Sequence, residues 1–318
     1  MSAIGALFIL DYMGVIMTRL SDLMSERTIL SFEVFPPKTE AGMEKLPGTL
    51  DHLFKFQPDY ISCTQGAGGK NAKENLSVCK MIQGADNATE AVAHVTCIGQ
   101  TKDTLRAQLQ GYLDNGITHV LALRGDLPYG WTGTNGDFNY ATDLVHFIRA
   151  EFGDKFEIAI SGSPEGHIAA RSLEADIAHL RQKQDEGADY IMTQLCFDYD
   201  QLEIWLDAVR SAGIYLPIDA GIMPVLDKDA TINMCLSHNG CAIPRELAVI
   251  ISHHWFDHDP DGNLVPEVKA AFKEEGIQYT IDMIHRYMAM GVDGIHMYAL
   301  NKWEDVTTIL NEAGIKSL

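Results

Sequence analysis

Eight short runs of β-branched and apolar residues, separated by stretches with helical spacing, constrain the fold of this chain more than any other feature of its sequence. The runs are TILSFEVFPP (28–37), DYISCTQGA (59–67), AVAHVTCI (91–98), THVLALRGD (118–126), EIAISGSPE (157–165), YIMTQLCFD (190–198), PIDAGIMPV (217–225) and GIHMYALNK (294–302). Between them lie MEKLPGTLDHLFKF, TKDTLRAQLQGYLDNG, YATDLVHFIRAEFG, LEADIAHLRQKQDEG and DQLEIWLDAVRSAG, several of which close on a glycine suited to a helix C-cap. Near-continuous apolar strands need burial on both faces, and helical crossovers join parallel neighbours. A doubly wound sheet or a closed barrel satisfies both demands. Eight units in 318 residues favour an α/β fold of the (β/α)8 TIM-barrel type.

The placement of polar residues strengthens the barrel reading. Glu33, Thr64, His94, Asp126, Glu165, Gln194 and Asn301 sit in or at the ends of the apolar runs. In a closed barrel those ends converge on one face, where such folds carry their chemistry. One unit is irregular: the connection from Val225 to Gly294 contains helical segments around 243–254 and 266–290 with a polar HDPDGN turn between them. It reads as an insertion over one barrel rim, at about 226–293. No linker or second composition regime interrupts the chain, so residues 27–318 read as a single barrel and residues 1–26 as an N-terminal extension. The apolar stretch from Ala3 to Ile16 is broken by Asp11 and has no basic start. It fits an added amphipathic helix, or a start upstream of the true one at Met17, better than a signal peptide or a membrane span.

Charge narrows the partners. Lys and Arg total 24 against 44 Asp and Glu, a formal net charge of −20, which argues against general binding to nucleic acid or to an anionic membrane. An anionic ligand can be held only where the few basic residues gather. The six cysteines (Cys63, Cys79, Cys97, Cys196, Cys235 and Cys241) show no CxxC spacing and read as reduced thiols of a cytoplasmic protein.

Glu33 lies inside the apolar strand of SFEVFPPKT. Desolvation disfavours its charged form, so it can act as a general acid; paired with Lys38 or another barrel cation, it is structural. The residues alone leave both readings open. ALRGDLP places Arg124, Gly125 and Asp126 at the end of the fourth strand: a fork for phosphate, a close backbone approach, and a carboxylate for a polar heterocycle. His94, His167 and His179 form no HxxxH pair and read as neutral hydrogen-bonding groups. His253, His254 and His258 with Asp257 and Asp259 are denser, but their spacing suits a solvated helix end better than a zinc site, and no metal is expected. No GxGxxG follows a strand, and neither a P-loop nor GxSxG is present.

Taken together, SFEVFPPKT, SCTQGAGG, AHVTCIG, ALRGDLP, SPEGH, MTQLCFD, AGIMPV and YALNK resemble, in order and spacing from Ser31 to Lys302, the methylenetetrahydrofolate reductase family in its bacterial, catalytic-domain form. The resemblance implies a (β/α)8 barrel with FAD across the C-terminal ends of the strands. It implies reduction of 5,10-methylenetetrahydrofolate to 5-methyltetrahydrofolate, in the one-carbon metabolism that supplies methionine, with reduced nicotinamide and folate meeting the same flavin face in turn. Glu33 then matches the general acid that assists protonation at N10, so that the ring opens to a 5-iminium cation. Asp126 matches the carboxylate between flavin and pterin, and Gln194 the residue bonded to the pterin. Thr64, His94, Arg124, Gly125, Tyr140, Ala141, His167, Asp176, His179 and Lys183 fall at or beside FAD-binding positions, with Arg124 and Lys183 toward the pyrophosphate and Asp176 toward a ribose hydroxyl.

The chain also departs from the family pattern. Ser163 replaces a tyrosine, Gln182 an arginine beside Lys183, Asp227 and Lys228 stand near a missing stacking aromatic, and Lys302 replaces an arginine that holds the folate tail. These changes leave three electron donors open: NADH, NADPH, or a partner electron-transfer protein. Relatives commonly assemble as homo-oligomers. Two other readings remain: a proline-dehydrogenase-like FAD barrel, and a non-catalytic barrel subunit that docks an electron carrier.

Overall fold

The computed structural model describes residues 18–66, 71–127, 129–237, 240–259 and 265–317. The apolar 3–16 stretch, the end of SCTQGAGG, Pro128 and most of the HDPDGN turn lie outside the described residues. Eight strands follow the eight runs: β1 (Ile29–Val34), β2 (Tyr60–Cys63), β3 (Glu90–Thr96), β4 (His119–Leu123), β5 (Glu157–Gly162), β6 (Tyr190–Thr193), β7 (Ile218–Ile222) and β8 (Gly294–Met297). Each pairs in parallel with the next, and β8 returns to β1 with Ile29 opposite Gly294 and Phe32 opposite Met297, closing the barrel.

Period-two alternation sorts the strand residues between two cores. Phe32, Val34, Ile61, Val95, Ile160 and Ile222 pack outward under the helices, while Ile29, Tyr60, Val92, Leu121, Tyr190 and Met192 fill the barrel's lower interior. In β1 the same parity carries Ile29, Ser31 and Glu33 up the interior from floor to mouth.

The helices are α1 (Leu20–Glu26), α2 (Glu40–Phe54), α3 (Ala72–Gln83), α4 (Lys102–Leu113), α5 (Ala141–Phe152), α6 (Leu173–Asp185), α7 (Tyr199–Ser211), α8 (Lys228–Cys235), α9 (Arg245–His253), α10 (Pro266–Met290) and α11 (Trp303–Glu312). Several start where a side chain accepts an otherwise unpaired backbone N–H: Thr39, Thr101, Ser172, Asp198 and Asp227 cap α2, α4, α6, α7 and α8. No helix among the described residues is long and apolar enough to cross a membrane.

Two segments refine the sequence reading. Residues 18–26, assigned above to an extension, belong to the barrel's core: Leu20 and Met24 of α1 pack onto the floor residues Ile29, Tyr60 and Tyr190. The buried Glu157 carboxylate accepts the Leu20 and Ser21 N–H groups at 2.7 and 3.0 Å, a negative charge at the start of the helix. Within the 226–293 insertion, α10 is the barrel's own crossover from β7 to β8, and α8 and α9 are the added part. Gly276 makes this seating possible, because a Cβ there would lie 2.1 Å from the Val225 carbonyl oxygen.

Candidate active site

Glu33 stands at the barrel mouth, 8% exposed, with Ser62 of β2 beside it in register. Its Oε2 lies 3.5 Å from His94 Nε2 of β3 and 3.9 Å from His296 Nε2 of β8. Both imidazole nitrogens are buried and lack a hydrogen-bond partner among the described residues. Burial lowers the His94 ring to about 4; His296 pushes the same way, and Glu33 opposes them. His94 is therefore neutral at ordinary pH. Among the described residues neither Lys38 nor any other Lys or Arg lies within ion-pair distance of Glu33, so the Lys or Arg pairing weighed above is not formed there.

Below Glu33 runs a polar chain that the sequence reading passed over. His296 Nδ1 lies 2.7 Å from Ser31 Oγ, Ser31 Oγ 2.7 Å from Asp219 Oδ2, and the Tyr60 hydroxyl donates to that same oxygen at 2.6 Å. All four residues are fully buried. The available signal was polar residues at inward parity in apolar strands, Ser31 two positions before Glu33 and His296 in the last run.

Around the ends of β4, β5 and β6 the other named residues divide. Arg124 and Gly125 follow β4, with Gly125 at φ +87°, where a side chain would be strained. The Arg124 Nε donates to the Gly125 carbonyl, and no carboxylate lies within ion-pair distance of its guanidinium among the described residues. Lys183, on α6, turns inward and donates to the Ser161 carbonyl at 2.7 Å. Burial lowers its ammonium to about 8, against a weak pull from Asp176. His167 lies within electrostatic reach of Arg124, Lys183, Asp176 and Asp126, and its backbone N–H donates to Asp176 at 3.1 Å. Five candidate residues thus share one patch. His179 and Gln182 are exposed on the outer part of α6, and Tyr140, 61% exposed, caps α5 with Ala141 behind it. Thr64 is half-buried just past β2, its carbonyl held by Asn75.

Gln194 follows β6, its N–H bonded to the Gly162 carbonyl at 2.7 Å. Lys302 is exposed at the start of α11, where its charge reaches Asp227. Asp227 caps α8 and pairs with Lys269 at 2.9 Å. Lys228 pairs with Asp257 at 2.7 Å and holds the His254 and Trp255 carbonyls, with its ammonium 5.7 Å from the Trp255 ring centroid. These two departures therefore pin the inserted helices. Glu165 does the same from the other side, accepting the Ala242 N–H at 2.8 Å. Asn301 stitches β8 to the Phe35 backbone.

The histidine cluster is spent on carboxylates: His254 and His253 face Glu275 at 2.9 and 3.6 Å, and His258 faces Asp257 at 2.8 Å. Among the described residues, no group of three or more His, Cys, Asp or Glu could hold a metal ion.

Arg124 and Lys183 decide what the rim can bind. Arg19, Arg106, Arg149 and Arg181 all have carboxylate partners elsewhere in the chain. Two cations with, among the described residues, only backbone hydrogen-bond partners, beside a glycine at positive φ, suit a phosphate-bearing ligand such as a dinucleotide.

The family model described as methylenetetrahydrofolate reductase matches residues 18–314. The chain is 33% identical over 295 residues to 5,10-methylenetetrahydrofolate reductase of Pectobacterium carotovorum, covering 91% of each chain. It is 34% identical to methylenetetrahydrofolate reductase (NADH) 1 of Arabidopsis thaliana, covering 91% of this chain and 49% of that one. The chain spans about half the length of such eukaryotic relatives. Among solved structures, a Clostridium thermocellum protein described as binding two copies of 5-methyl-5,6,7,8-tetrahydrofolic acid superposes with a TM-score of 0.57 over 92% of this chain and 97% of that one, at 13% identity, a likeness of fold.

Proposed function

The chain belongs to the methylenetetrahydrofolate reductase family, and on that premise we propose that it is an oxidoreductase that converts 5,10-methylenetetrahydrofolate to 5-methyltetrahydrofolate, with FAD as hydride carrier and NADH as donor in a ping-pong cycle. The observation that carries this reading is Glu33: a carboxyl at the mouth of the barrel, nearly closed to water, facing two imidazole nitrogens and, among the described residues, no Lys or Arg at ion-pair distance.

Bound FAD supplies the hydride; the rest is the work of the protein's own groups. Arg124 and Lys183 would hold the pyrophosphate and Asp176 a ribose hydroxyl, with His167 within electrostatic reach of all three. Glu33 gives its proton to N10 as the five-membered ring opens, which makes the amine a better leaving group. Positive charge then develops on the N5 side of the substrate, where the Asp126 carboxylate on the loop after β4 stabilises it. Gln194 bonds the pterin edge and fixes its face. Lys302 meets the glutamate tail as a point charge, a looser grip than a guanidinium fork.

The absorbance of the purified protein tests the reading. A flavin spectrum that bleaches with NADH under anaerobic conditions and returns on adding methylenetetrahydrofolate is the expected result. A protein that binds no FAD, or whose reduced flavin ignores the folate, would overturn it. Flavin that only dithionite reduces would leave the folate half intact and shift the donor to a partner electron-transfer protein.

A further inference from the structure

The chain below Glu33 has hydrogen-bond directions that can be counted. Asp219 is fully buried, and its Oδ2 receives two hydroxyl contacts, from Tyr60 at 2.6 Å and Ser31 at 2.7 Å. Burial pushes this carboxyl up, so its charge is costly; His296 and the two O–H donors on Oδ2 oppose that shift in part, while Oδ1 is buried with no hydrogen-bond partner among the described residues. A serine has one hydrogen to give. If Ser31 spends it on Asp219, the Ser31 oxygen can only accept from His296 Nδ1, 2.7 Å away, and that nitrogen must carry the ring proton. His296 Nε2 is buried with no hydrogen-bond partner among the described residues. An imidazolium N–H left unpaired there would be far costlier than a bare lone pair, so the ring is neutral. Its lone pair then points toward Glu33 Oε2, at 3.9 Å.

We propose that Asp219 is a positioning residue: through Ser31 it fixes His296 as the Nδ1-protonated tautomer, so that a bare Nε2 faces Glu33 and favours the carboxyl's O–H form. This inference rests on the assignment of Glu33 as the acid, and it supplies what that assignment needs, a reason for the proton to be on Glu33 before the substrate arrives. The groups that face Glu33 are consistent with it. His94 from β3 is neutral, Ser62 from β2 carries no charge, Tyr298 after β8 and the outward-facing Cys63 within electrostatic reach are phenol and thiol pushed up by burial, and none of them brings a cation. The reverse order of the chain is the competing state: a proton on Asp219, Ser31 donating to His296 Nδ1, and Nε2–H donating to an ionised Glu33.

Nitrogen-15 NMR of histidine-labelled full-length protein distinguishes the two states without flavin turnover or folate. The His296 signals, assigned by their loss in His296→Gln or by backbone-linked correlations in the wild type, should show Nδ1 protonated and Nε2 bare at neutral pH. An Nε2–H tautomer, or a doubly protonated ring, overturns the proposal. In Asp219→Asn, and independently in Ser31→Ala should the first variant not fold, the ring should lose its single tautomer; an unchanged ring in either folded variant also overturns it. In turnover assays Asp219→Asn should lower kcat for folate by roughly ten- to a hundredfold, within what a positioned acid supplies. Its KM should change little, the alkaline fall of the rate should move to lower pH, and reduction by NADH should be unaffected. The two readings fail separately: a protein inert toward folate with Nδ1–H at His296 removes the functional reading alone, and an active one with Nε2–H removes only the role of Asp219.

Discussion

Replacing Glu157 by glutamine should loosen α1 from the barrel floor at a cost of about 3.5 kcal/mol. The native carboxylate is fully buried, accepts the N–H groups of Leu20 at 2.7 Å and Ser21 at 3.0 Å and the Ser21 hydroxyl, and lies 3.2 Å from His119 Nε2. Burial alone would raise its protonation point. The hydrogen bond and charge of His119, with the Ser21 donors, outweigh burial and hold it at about 2, against the ordinary 4.5. A difference of roughly 2.5 pH units at about 1.4 kcal/mol each gives the quoted magnitude. His119 is raised, with burial opposed by the same Glu157 contact, so the pair is counted once. The signs set a window. Glu157 is depressed, so its contribution is present above 4.5 and lost as pH falls toward about 2. His119 is raised above its ordinary 6.5, so its share is complete below that value and fades as pH rises through the folded-state value. Docking of α1 is therefore strongest between about pH 4.5 and 6.5. Thermal unfolding near the middle of that window should show Glu157→Gln lower by about 5 °C, and hydrogen exchange should show the Leu20 and Ser21 amides deprotected. A variant that melts within about 1 °C of the wild type and keeps those amides protected would refute the reasoning.

Three further outcomes follow from the site and its supports. Glu33→Gln should bind FAD and accept electrons from NADH normally while folate turnover drops by roughly 10²–10⁴-fold; near-normal turnover in a folate half-reaction assay removes the acid assignment. FAD affinity of the cofactor-free protein should fall as pH rises above about 8, where Lys183 gives up its proton, and should fall with salt. Lys183→Met should flatten the pH dependence in a fluorescence titration, and a variant that keeps the wild-type slope rules Lys183 out as its source. Gly276→Ala should destabilise by about 1–3 kcal/mol or more, since the added methyl meets the Val225 carbonyl and not a movable side-chain tip; chemical denaturation with no change in midpoint counts against that seating of α10.

The barrel was legible because burial on two faces and helical crossovers leave few alternatives, and each of the eight strands falls almost wholly within its run. The runs extend past the strands at their C-terminal ends, as in YIMTQLCFD against Tyr190–Thr193, because the apolar residues there continue into rim loops that stay in the outer core, with Tyr279 and Tyr287 of α10 donating to the Phe197 and Cys196 carbonyls. Glu33 was legible as one carboxylate in an apolar strand. Its neighbours were less so. His94 was noted for a cofactor, yet its ring also faces Glu33. His296, Ser31, Tyr60 and Asp219 meet only when the barrel closes β8 onto β1, a contact spanning 265 residues of sequence between Ser31 and His296. No local periodicity reports such a contact. The role of α1 was hidden for a different reason: its two buried side chains, Leu20 and Met24, are a weak apolar signal beside the longer stretch upstream.

The acidity of the chain acquires a specific meaning once its cations are placed. Among the described residues, the lysines and arginines that have no carboxylate within ion-pair distance are exposed to water, except Arg124 and Lys183. Lys228, Lys269 and Lys273 are consumed in holding the inserted helices and α10 to their neighbours, and Arg19 and Arg149 converge on Asp189 at the floor. Among the described residues, Arg124 and Lys183 instead bond only backbone carbonyls, at the ends of neighbouring strands, and Lys183 does so from a half-buried position where desolvation lowers its affinity for a proton. A desolvated ammonium without a counter-ion is unfavourable in the free protein. That cost is recovered when an anion arrives, since the bound phosphate would raise the ammonium's proton affinity again. On the proposed function, the arrangement would make FAD binding more favourable than two exposed lysines could, and concentrate that gain at one place on an otherwise repulsive surface. Gln182, exposed on the same helix, adds no charge, so the grip on the pyrophosphate depends on two residues and loss of either should be felt in retention of the cofactor.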